Sequence, residues 1–353
     1  MTAFSAFDHA MMRRALDLAA KGMYTTTPNP RVGCVVARDE RVLAEAWHER
    51  AGSPHAEAAA LAGIDARGAT VYVNLEPCNH HGRTPPCVAA LVEAKVRRVV
   101  AAMRDPNPLA AGGGERLRAA GIEFQHGLLE DEARELNIGF VSRMTRRRPW
   151  VRLKVAATLD GRTALPDGRS QWITGAEARR DAHRWRARAC ALLTGIGTVR
   201  ADDPQLTVRE VATARQPLRV IVDSRLETPR GARILQGERV LVFAARAGEL
   251  PNAEVVVLPN AGGKVDLPGM LAALAERGVN ELHVEAGFRL NGSLVREACV
   301  DEFLVYLNPS ILGSDAEGMF DLAAPGALDE RRRLRLVSLE RLGDDLRLLA
   351  RPG

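Results

Sequence analysis

Apolar and polar positions alternate along the first part of the chain with two different periods. Residues 7–21 show the three-to-four-residue period of an amphipathic helix, and residues 32–37 and 42–47 are short apolar runs typical of strands. A further helix is predicted to begin at His55. The same patterns predict strands at residues 70–73 and 98–102, and helices at residues 86–94, 113–120 and 130–144. Strands that alternate with helices in this way build layered α/β domains.

The pattern is interrupted at the arginine-rich segment 145–149, and a strand-like apolar run resumes at residues 150–156. A chain of 353 residues also exceeds what one hydrophobic core usually fills. We therefore place a domain boundary there and predict two α/β domains, at residues 1–146 and 150–353.

Hydrophobic residues make up 46% of the chain and charged residues 26%, as in ordinary soluble globular proteins. No apolar run is long enough to span a membrane, and the N-terminus lacks the basic and apolar regions of a signal peptide. The number of cysteines is five, an odd number that fits a reducing compartment better than a disulfide framework. We expect a cytoplasmic protein with no membrane partner.

The net charge of +5 raises the possibility of nucleic-acid binding. However, only four of the 49 basic residues are lysines, and the arginines are spread along the chain. Aromatic residues, which stack on single strands, are only 4% of the total. We therefore expect no nucleic-acid partner and interpret the charge as a solvated basic surface that attracts phosphorylated small molecules.

Candidate chemistry in the first part lies at His55 and Glu57, in the order His-x-Glu, followed by Cys78 and Cys87. One imidazole and two thiolates can hold a zinc ion and leave its fourth tetrahedral position open to water, as catalytic zinc sites require. Glu57 lies on the first turn of the predicted helix, where its carboxylate can pass a proton from water to departing ammonia. This combination predicts hydrolytic deamination.

A structural zinc knot, or two unconnected buried thiols, would use the same cysteines. The spacing also departs from the Pro-Cys-x-x-Cys pattern of zinc deaminases, because eight residues separate Cys78 from Cys87. Gly and Pro residues in that loop are suited to turning the chain back. The order of His-x-Glu, Pro-Cys and a returning Cys favours the catalytic site. Cys34, inside an apolar run, is predicted to be buried core.

Two runs identify a family. Residues 76–87 read EPCNHHGRTPPC and residues 28–34 read PNPRVGC, and together they resemble the deaminase half of the RibD family of bifunctional riboflavin-biosynthesis deaminase/reductases. The resemblance implies a cytidine-deaminase-like α/β/α layered domain with Zn²⁺ held by His55, Cys78 and Cys87, and with Glu57 as the catalytic residue. It places substrate contacts at Asn29, His48 and Arg83. A role in a turn at residues 28–30 would explain the presence of Asn29 almost as well as substrate contact.

The second half resembles the reductase half of the same family. The resemblance lies in residues 154–162, 170–174, 194–209, 222–224 and 284–287. It implies a dihydrofolate-reductase-like α/β fold that binds NADPH, although the Gly-x-Gly-x-x-Gly fingerprint of dinucleotide-binding folds is missing. Cofactor contacts then fall on Ala156, Trp172, Thr198, Asp202, Ser224, Gly287, Phe288, Arg289, Leu290, Asn291, Gly292 and Ser293. Substrate contacts fall on Ser170, Arg186, Leu206, Arg209 and Glu285.

Several of these residues have a second interpretation. Arg186 and Arg209 make sense as phosphate clamps because guanidinium groups pair well with phosphate oxygens, but a solvated helix face and a loop would also carry them. The second interpretation of Asp202 is a cap for a turn before Pro204, and that of Lys154 is pairing with a neighbouring carboxylate.

The resemblance implies two consecutive reactions on one phosphorylated pyrimidine. The first is zinc-dependent deamination of 2,5-diamino-6-(5-phosphoribosylamino)pyrimidin-4-one, and the second is NADPH-dependent reduction of the ribosyl group to ribityl. We also expect a homo-oligomer. One alternative is a nucleic-acid base deaminase with an accessory C-terminal module, and another is a zinc-stabilised binding protein without catalysis. The long loop before Cys87 and the few aromatics disfavour the first, and intact His55, Glu57, Cys78 and Cys87 disfavour the second.

Overall fold

The computed structural model describes residues 4–80, 85–238 and 240–353. Within it the chain divides into two compact units, Met1–Arg147 and Arg148–Gly353. Among the described residues, no helix combines the length and the apolar character needed to cross a membrane.

The N-terminal unit alternates helices and strands. Its elements are α1 (Ala6–Ala20), β1 (Gly33–Arg38), β2 (Arg41–Trp47), α2 (Ala56–Leu61), β3 (Thr70–Leu75), α3 (Cys87–Glu93), β4 (Arg98–Met103), α4 (Gly113–Ala119), β5 (Glu123–His126), α5 (Glu130–Leu136) and α6 (Ile138–Arg146). The strands form one sheet in the order β2-β1-β3-β4-β5. Strand β1 is antiparallel to both its neighbours, whereas β3, β4 and β5 are parallel.

Both faces of this sheet are covered. Successive side chains of a strand point to opposite faces, so in β1 Cys34 and Val36 pack with α2, α3 and α4, while Val35 and Ala37 pack with α1, α5 and α6. The unit therefore has the α/β/α layers predicted for a cytidine-deaminase-like domain.

One predicted helix is divided in two. The sequence predicts a single helix over residues 130–144, but the structure ends α5 at Leu136 and begins α6 at Ile138. The intervening Asn137 is buried, and its side-chain amide accepts from the Arg31 N–H at 2.8 Å and donates to the Arg31 carbonyl at 2.9 Å. This long-range pairing fixes the backbone between the helices, and helical periodicity does not reveal it.

The C-terminal unit has more strands than the first. Its elements are β6 (Trp150–Thr158), β7 (Arg162–Ala164), α7 (Ala176–Arg188), β8 (Ala191–Gly195), α8 (Ile196–Asp202), β9 (Leu218–Val222), β10 (Val240–Ala244), β11 (Ala253–Val257), α9 (Leu267–Glu276), β12 (Glu281–Val284), α10 (Phe288–Arg296), β13 (Glu302–Asn308), β14 (Glu317–Gly318), β15 (Leu334–Leu342) and β16 (Asp345–Pro352).

Nine of these strands form one sheet, in the order β11-β10-β9-β8-β12-β6-β13-β16-β15. All pairs from β11 to β13 are parallel, and the hairpin of β15 and β16 adds two antiparallel strands at one end. Helices α9 and α10 cover one face, and α7 and α8 pack on the other. The predicted α/β class is confirmed, and this parallel sheet brings the carboxyl ends of β9, β8, β12 and β6 side by side.

Candidate active sites in the two units

The N-terminal unit brings together the three residues that the sequence predicts as metal ligands. His55 caps the start of α2, Cys78 follows β3, and Cys87 opens α3. His55 Nδ1 lies 3.2 Å from Cys87 Sγ and 3.6 Å from Cys78 Sγ. All three ligand atoms lie within 4.8 Å of one another. One nitrogen and two sulfurs at this spacing suit a tetrahedral zinc ion with one position left open.

The segment that carries Cys78 is held by its neighbours. The backbone N–H of Cys87 donates to Cys78 Sγ at 3.4 Å. The buried carboxylate of Glu76 accepts from the N–H of Asp105 at 3.1 Å and of Gly114 at 2.8 Å. A Cβ atom on Gly113 would lie 1.9 Å from the Pro77 carbonyl oxygen, so only glycine lets α4 approach this close. These contacts fix one thiol against the other.

The two thiols differ in acidity. A hydrogen bond from Cys87, and then one from His55, lower the pKa of Cys78 to about 4. The hydrogen bond to Cys78 and burial raise the pKa of Cys87, and the Cys78 contact raises the pKa of His55. A divalent cation would favour both thiolates and the neutral imidazole.

Glu57 lies on the first turn of α2 and is 4% exposed. Burial, and then the charge of Cys78, raise the pKa of its carboxyl. A carboxyl with a raised pKa can both accept and return a proton. The structure places such a carboxyl beside Cys78 and Cys87.

Two of the predicted substrate contacts lie next to the ligands. Asn29 Nδ2 lies 3.0 Å from His48 Nε2, and His48 Nδ1 lies 3.1 Å from the Pro54 carbonyl. Because the amide nitrogen and the Nδ1 proton are donors, His48 is the Nδ1-protonated neutral imidazole. Burial lowers its pKa, which agrees with that form. Its ring packs edge-on against His55, with centroids 5.6 Å apart. Arg83, the third predicted contact, lies outside the described residues.

Asp105 was not selected from the sequence. It lies two residues beyond the end of β4, and burial, together with the charge of Glu76, raises its pKa to about 7 although the Asn107 N–H acts against the rise. In the sequence Asp105 precedes Pro106, a position that is typical of an ordinary turn residue. The available signal is topological, since β4 runs parallel to β3 and the carboxyl ends of parallel strands meet at one edge.

In the C-terminal unit, predicted cofactor contacts gather at the carboxyl ends of neighbouring parallel strands. Ala156 lies in β6, Thr198 follows β8 and Ser224 follows β9. A Cβ atom on Gly287, just after β12, would lie 3.7 Å from Thr198 Oγ1, so these two residues are adjacent. This edge of an α/β sheet is where such folds bind ligands.

Glu285 is the centre of a half-buried ionic cluster at the same edge. Arg186 from α7 donates to both of its oxygens, to Oε1 through Nε and to Oε2 through Nη2 at 2.8 Å. Lys154 Nζ lies 3.9 Å from Oε2. Burial acts to raise the pKa of Glu285, but Arg186 and Lys154 hold it well below its usual range. Lys154 therefore does pair with a carboxylate, as the sequence analysis allowed.

The loop that carries Leu206 and Arg209 is tied to α7. Arg186 Nη1 donates to the Thr207 carbonyl at 3.1 Å, and the Arg209 N–H donates to His183 Nδ1 at 3.2 Å. Burial, and then the charge of Arg186, lower the pKa of His183 to about 4, so its ring is a neutral acceptor. The Arg209 guanidinium is exposed, whereas the Leu206 side chain is buried in the core. Any contact of Leu206 with a ligand would therefore use its backbone.

Other predicted contacts differ in how much they present to solvent. Trp172 is 72% exposed and stacks under the Arg179 guanidinium, 4.7 Å from the ring centroid, and Ser170 lies nearby in sequence and is half-buried. Asp202 is exposed at the end of α8. Ser224 Oγ accepts from the Val265 N–H at 3.2 Å.

Part of the predicted segment 287–293 packs inwards. Asn291 donates to the Met319 carbonyl at 3.3 Å, and a Cβ atom on Gly292 would lie 2.3 Å from the Asp321 carbonyl oxygen. Leu290 packs against Gly195 at the end of β8. Phe288 and Arg289 lie on the first turn of α10, and Ser293 donates to the Arg289 carbonyl. The side chain of Asn291 and the backbone of Gly292 thus lie against residues 319–321.

Two described sequence families match the chain. Residues 5–103 match the cytidine and deoxycytidylate deaminase zinc-binding region. Residues 149–348 match the RibD C-terminal domain.

Two curated relatives and two solved structures are similar to this chain over nearly its whole length. This chain is 45% identical to the riboflavin biosynthesis protein RibD of Escherichia coli (strain K12), over 96% of this chain and 98% of that protein. It is 44% identical to the RibD of Haemophilus influenzae, over 100% and 99%. Among solved structures, Acinetobacter baumannii RibD has a TM-score of 0.93 at 42% identity, over 98% of this chain and 99% of that chain. A Thermotoga maritima diaminohydroxyphosphoribosylaminopyrimidine deaminase/5-amino-6-(5-phosphoribosylamino)uracil reductase has a TM-score of 0.90 at 34% identity, with the same coverage.

Proposed function

Because the chain belongs to the RibD family and is a bifunctional deaminase and reductase of riboflavin biosynthesis, we propose that each compact unit carries one of the two activities. The N-terminal unit would deaminate 2,5-diamino-6-(5-phosphoribosylamino)pyrimidin-4-one. The C-terminal unit would then reduce the ribosyl group of the product to ribityl. The observation that carries the first assignment is the grouping of His55, Cys78 and Cys87 beside buried Glu57.

We propose zinc as the metal of the deaminase unit, because a deaminase zinc-binding region implies it and the donor set of one imidazole and two thiols fits it. When bound, zinc lowers the pKa of a water molecule towards neutrality. Glu57 takes a proton from the attacking water and delivers it to the amino nitrogen. A carbon–oxygen bond forms at the ring carbon, the carbon–nitrogen bond breaks, and ammonia leaves.

Asn29 and His48 orient the pyrimidinone in this proposal. The His48 ring engages the Asn29 amide nitrogen, so the amide carbonyl oxygen is the atom that accepts from the ring edge. Arg83 would contribute a charge for the substrate phosphate. Asp105, with its raised pKa, is a further candidate for contact with the substrate.

In the reductase unit the family implies a nicotinamide cofactor, and we propose that it is NADPH. NADPH supplies the hydride that opens the sugar at C1′. Small residues at the ends of β8 and β12, with Ser224 and Thr198 beside them, give the cofactor access to backbone N–H groups. Trp172 offers an exposed ring face.

Substrate recognition in this unit would centre on Glu285 and two arginines. Glu285, fixed by Arg186, accepts hydrogen bonds from the sugar hydroxyls. Arg209, whose guanidinium is exposed, pairs with the phosphate, and Ser170 adds a hydroxyl.

We also propose that two copies of the chain associate through the hairpin of β15 and β16. Leu334, Leu336 and Leu339 of β15 are 49%, 54% and 54% exposed. Leu336 lies opposite Ala350, and Leu339 opposite Leu348, so these side chains share one face and form an apolar strip. α7 packs on the other face. Such a strip can pack on itself in a symmetric, face-to-face contact of two sheets.

The strip is tested by light scattering of the purified protein. Leu336→Glu combined with Leu339→Glu is expected to give the monomer mass at concentrations where the unchanged chain is a dimer. Leu328→Glu, which replaces a 79% exposed leucine outside the strip, should leave the mass unchanged. A monomeric starting protein would overturn the proposed association.

The two activities are tested together by mass spectrometry of the phosphorylated diaminopyrimidine after incubation with zinc-replete protein. Deamination without NADPH, and addition of two hydrogens only with NADPH, is the expected result. Intact substrate would contradict the deaminase assignment. Deamination that never proceeds to the reduced product would contradict the reductase assignment.

A further inference from the structure

Beneath α7, strand β12 presents a row of polar side chains. Glu281 and His283 lie two residues apart in β12, and Glu285 follows at the same spacing just beyond the strand end, so all three point to one face. Glu281 pairs with Arg152 of β6 at 3.2 Å and with Arg188 of α7 at 2.7 Å. Glu285 pairs with Arg186, two residues before Arg188 in α7, and with Lys154, two residues after Arg152 in β6. His283 therefore lies between two ion-paired carboxylates.

His283 is completely buried, yet neither ring nitrogen has a well-aligned hydrogen-bond partner among the described residues. Its Nε2 atom lies 3.4 Å from Glu285 Oε1. A buried polar group without a partner lowers the stability of the fold. A leucine or valine would avoid that cost, so packing alone does not account for an imidazole here.

The imidazole is neutral at physiological pH. Burial lowers its pKa, and Arg152 and Arg186 act in the same direction, while Glu285 acts against them. The 3.4 Å contact is therefore not an ion pair. A neutral imidazole protonated at Nε2 can instead donate a hydrogen bond to Glu285 Oε1 after a small rotation of either side chain.

Each Glu285 oxygen has two neighbours. Oε1 faces Arg186 Nε and His283 Nε2, and Oε2 faces Arg186 Nη2 and Lys154 Nζ. Arg186 therefore reaches both oxygens, whereas His283 faces Oε1 only and Lys154 faces Oε2 only.

We propose that His283 is a positioning residue of the reductase: together with Arg186, it donates from Nε2 to Glu285 Oε1 and keeps the carboxylate aimed at the substrate. This inference rests on the proposed function, in which Glu285 contacts the sugar. It assigns no proton transfer to His283 itself.

The test compares His283→Leu, His283→Gln and Glu285→Gln in the full-length protein. Leucine removes the donor and keeps the bulk, whereas glutamine restores an N–H donor. We expect His283→Leu to lower reductase kcat/KM about 10-fold, with most of the loss in kcat, and His283→Gln to stay within about 3-fold of the unchanged chain. Deaminase activity of the same preparations should not change.

A spectroscopic readout is independent of turnover. In ¹⁵N-labelled protein, the His283 ring should be neutral and protonated at Nε2, and its Nε2 resonance should move in Glu285→Gln. If His283→Leu fails to fold, His283→Gln and this resonance decide the question. A ring protonated at Nδ1, an insensitive resonance, or glutamine as impaired as a folded leucine variant would overturn the inference.

Failure of the proposed function has a different signature. If Glu285→Gln leaves the reductase rate unchanged, Glu285 is not a substrate contact and the premise is wrong. If Glu285→Gln is impaired while His283→Leu folds and behaves as the unchanged chain, the premise stands and the role of His283 is wrong.

Discussion

The two units build their candidate sites in different ways. In the N-terminal unit, three ligand atoms from three segments lie within 4.8 Å of one another, beside one buried carboxyl. In the C-terminal unit, the predicted contacts are spread over the ends of four neighbouring parallel strands. Their charged members, such as Arg186 and Glu285, already satisfy one another.

The difference reflects the ligands. A metal ion and a proton transfer need a few donors at short range, whereas a dinucleotide and a sugar phosphate are held by many weaker contacts over a large area. A single substitution should therefore abolish the first activity but only reduce the second.

The largest effect is expected for Glu57→Gln. The amide cannot take the proton from water, so deaminase kcat should fall about 10³-fold or more. Zinc content, measured by elemental analysis, should remain that of the unchanged chain because Glu57 is not one of the three grouped ligands. Reductase activity on the deaminated substrate serves as the internal control. Residual deamination above a few per cent would show that another group transfers the proton.

A smaller, graded loss is expected for Arg186 in the reductase unit. Arg186→Gln leaves Glu285 without its two-pronged partner and releases the Thr207 carbonyl, so reductase kcat/KM should fall about 100-fold. Arg186→Lys, which keeps the charge but loses the fork, should be intermediate. Arg184→Gln changes an exposed arginine of the same helix and is the matched control. Equal rates for Arg186→Gln and Arg184→Gln would contradict the proposed role.

The sequence identified the first site more completely than the second for a physical reason. His55 and Glu57 lie two residues apart, Cys78 and Cys87 lie nine residues apart, and their residue types are rare enough to indicate metal chemistry. The α/β layering also followed from periodicity. Contacts that depend on strand order were not predictable, such as Asp105 beside the metal segment or Arg152 beside Glu281.

In the C-terminal unit the resemblance located segments rather than side-chain directions. It named residues 287–293 together, but the structure turns Asn291 and Gly292 towards residues 319–321. Helix periodicity cannot decide which face of α10 lies at the sheet edge and which face packs against residues 319–321. For Arg186 and Glu57, by contrast, the structure does define the surroundings of the side chain.

Substitution of Asn29 distinguishes recognition of the pyrimidinone from turn formation within the deaminase unit. If its amide recognises the pyrimidinone, Asn29→Ala should raise the deaminase KM about 10-fold while leaving zinc content unchanged. If its side chain only supports the local turn and the 3.0 Å contact with His48 Nε2, the substitution should lower thermal stability instead of raising KM. Steady-state kinetics and a melting curve on the same preparation distinguish the two.

The smallest expected effect concerns stability away from both sites. Asp8 accepts from Tyr72 at 2.7 Å, from Arg98 at 2.8 Å and from the Ser5 N–H at 2.9 Å. Burial acts to raise its pKa, but the hydrogen bonds from Arg98, Tyr72 and Ser5 together lower it to about 2, against a model-peptide value of 3.8. The carboxylate is thus bound more strongly in the folded state, and its contribution of about 2 kcal/mol is fully present above pH 4.

That contribution should be lost as the pH falls from about 4 to about 2, because both folded and unfolded carboxyls are then protonated. Asp8→Asn should therefore lower the unfolding free energy of the N-terminal unit by about 2 kcal/mol at pH 7, with the difference narrowing below pH 4. Hydrogen exchange of β3 peptides reports this unit by itself. Asp17→Asn, at an exposed position of α1, should change the unfolding free energy by less than about 0.5 kcal/mol. A difference in unfolding free energy between Asp8→Asn and the unchanged chain that persists at pH 2 would mean that Asp8 stabilises the unit through its shape rather than its charge. The Asp8 ion pair would then differ from the ion pairs of the C-terminal unit in how it stabilises the protein.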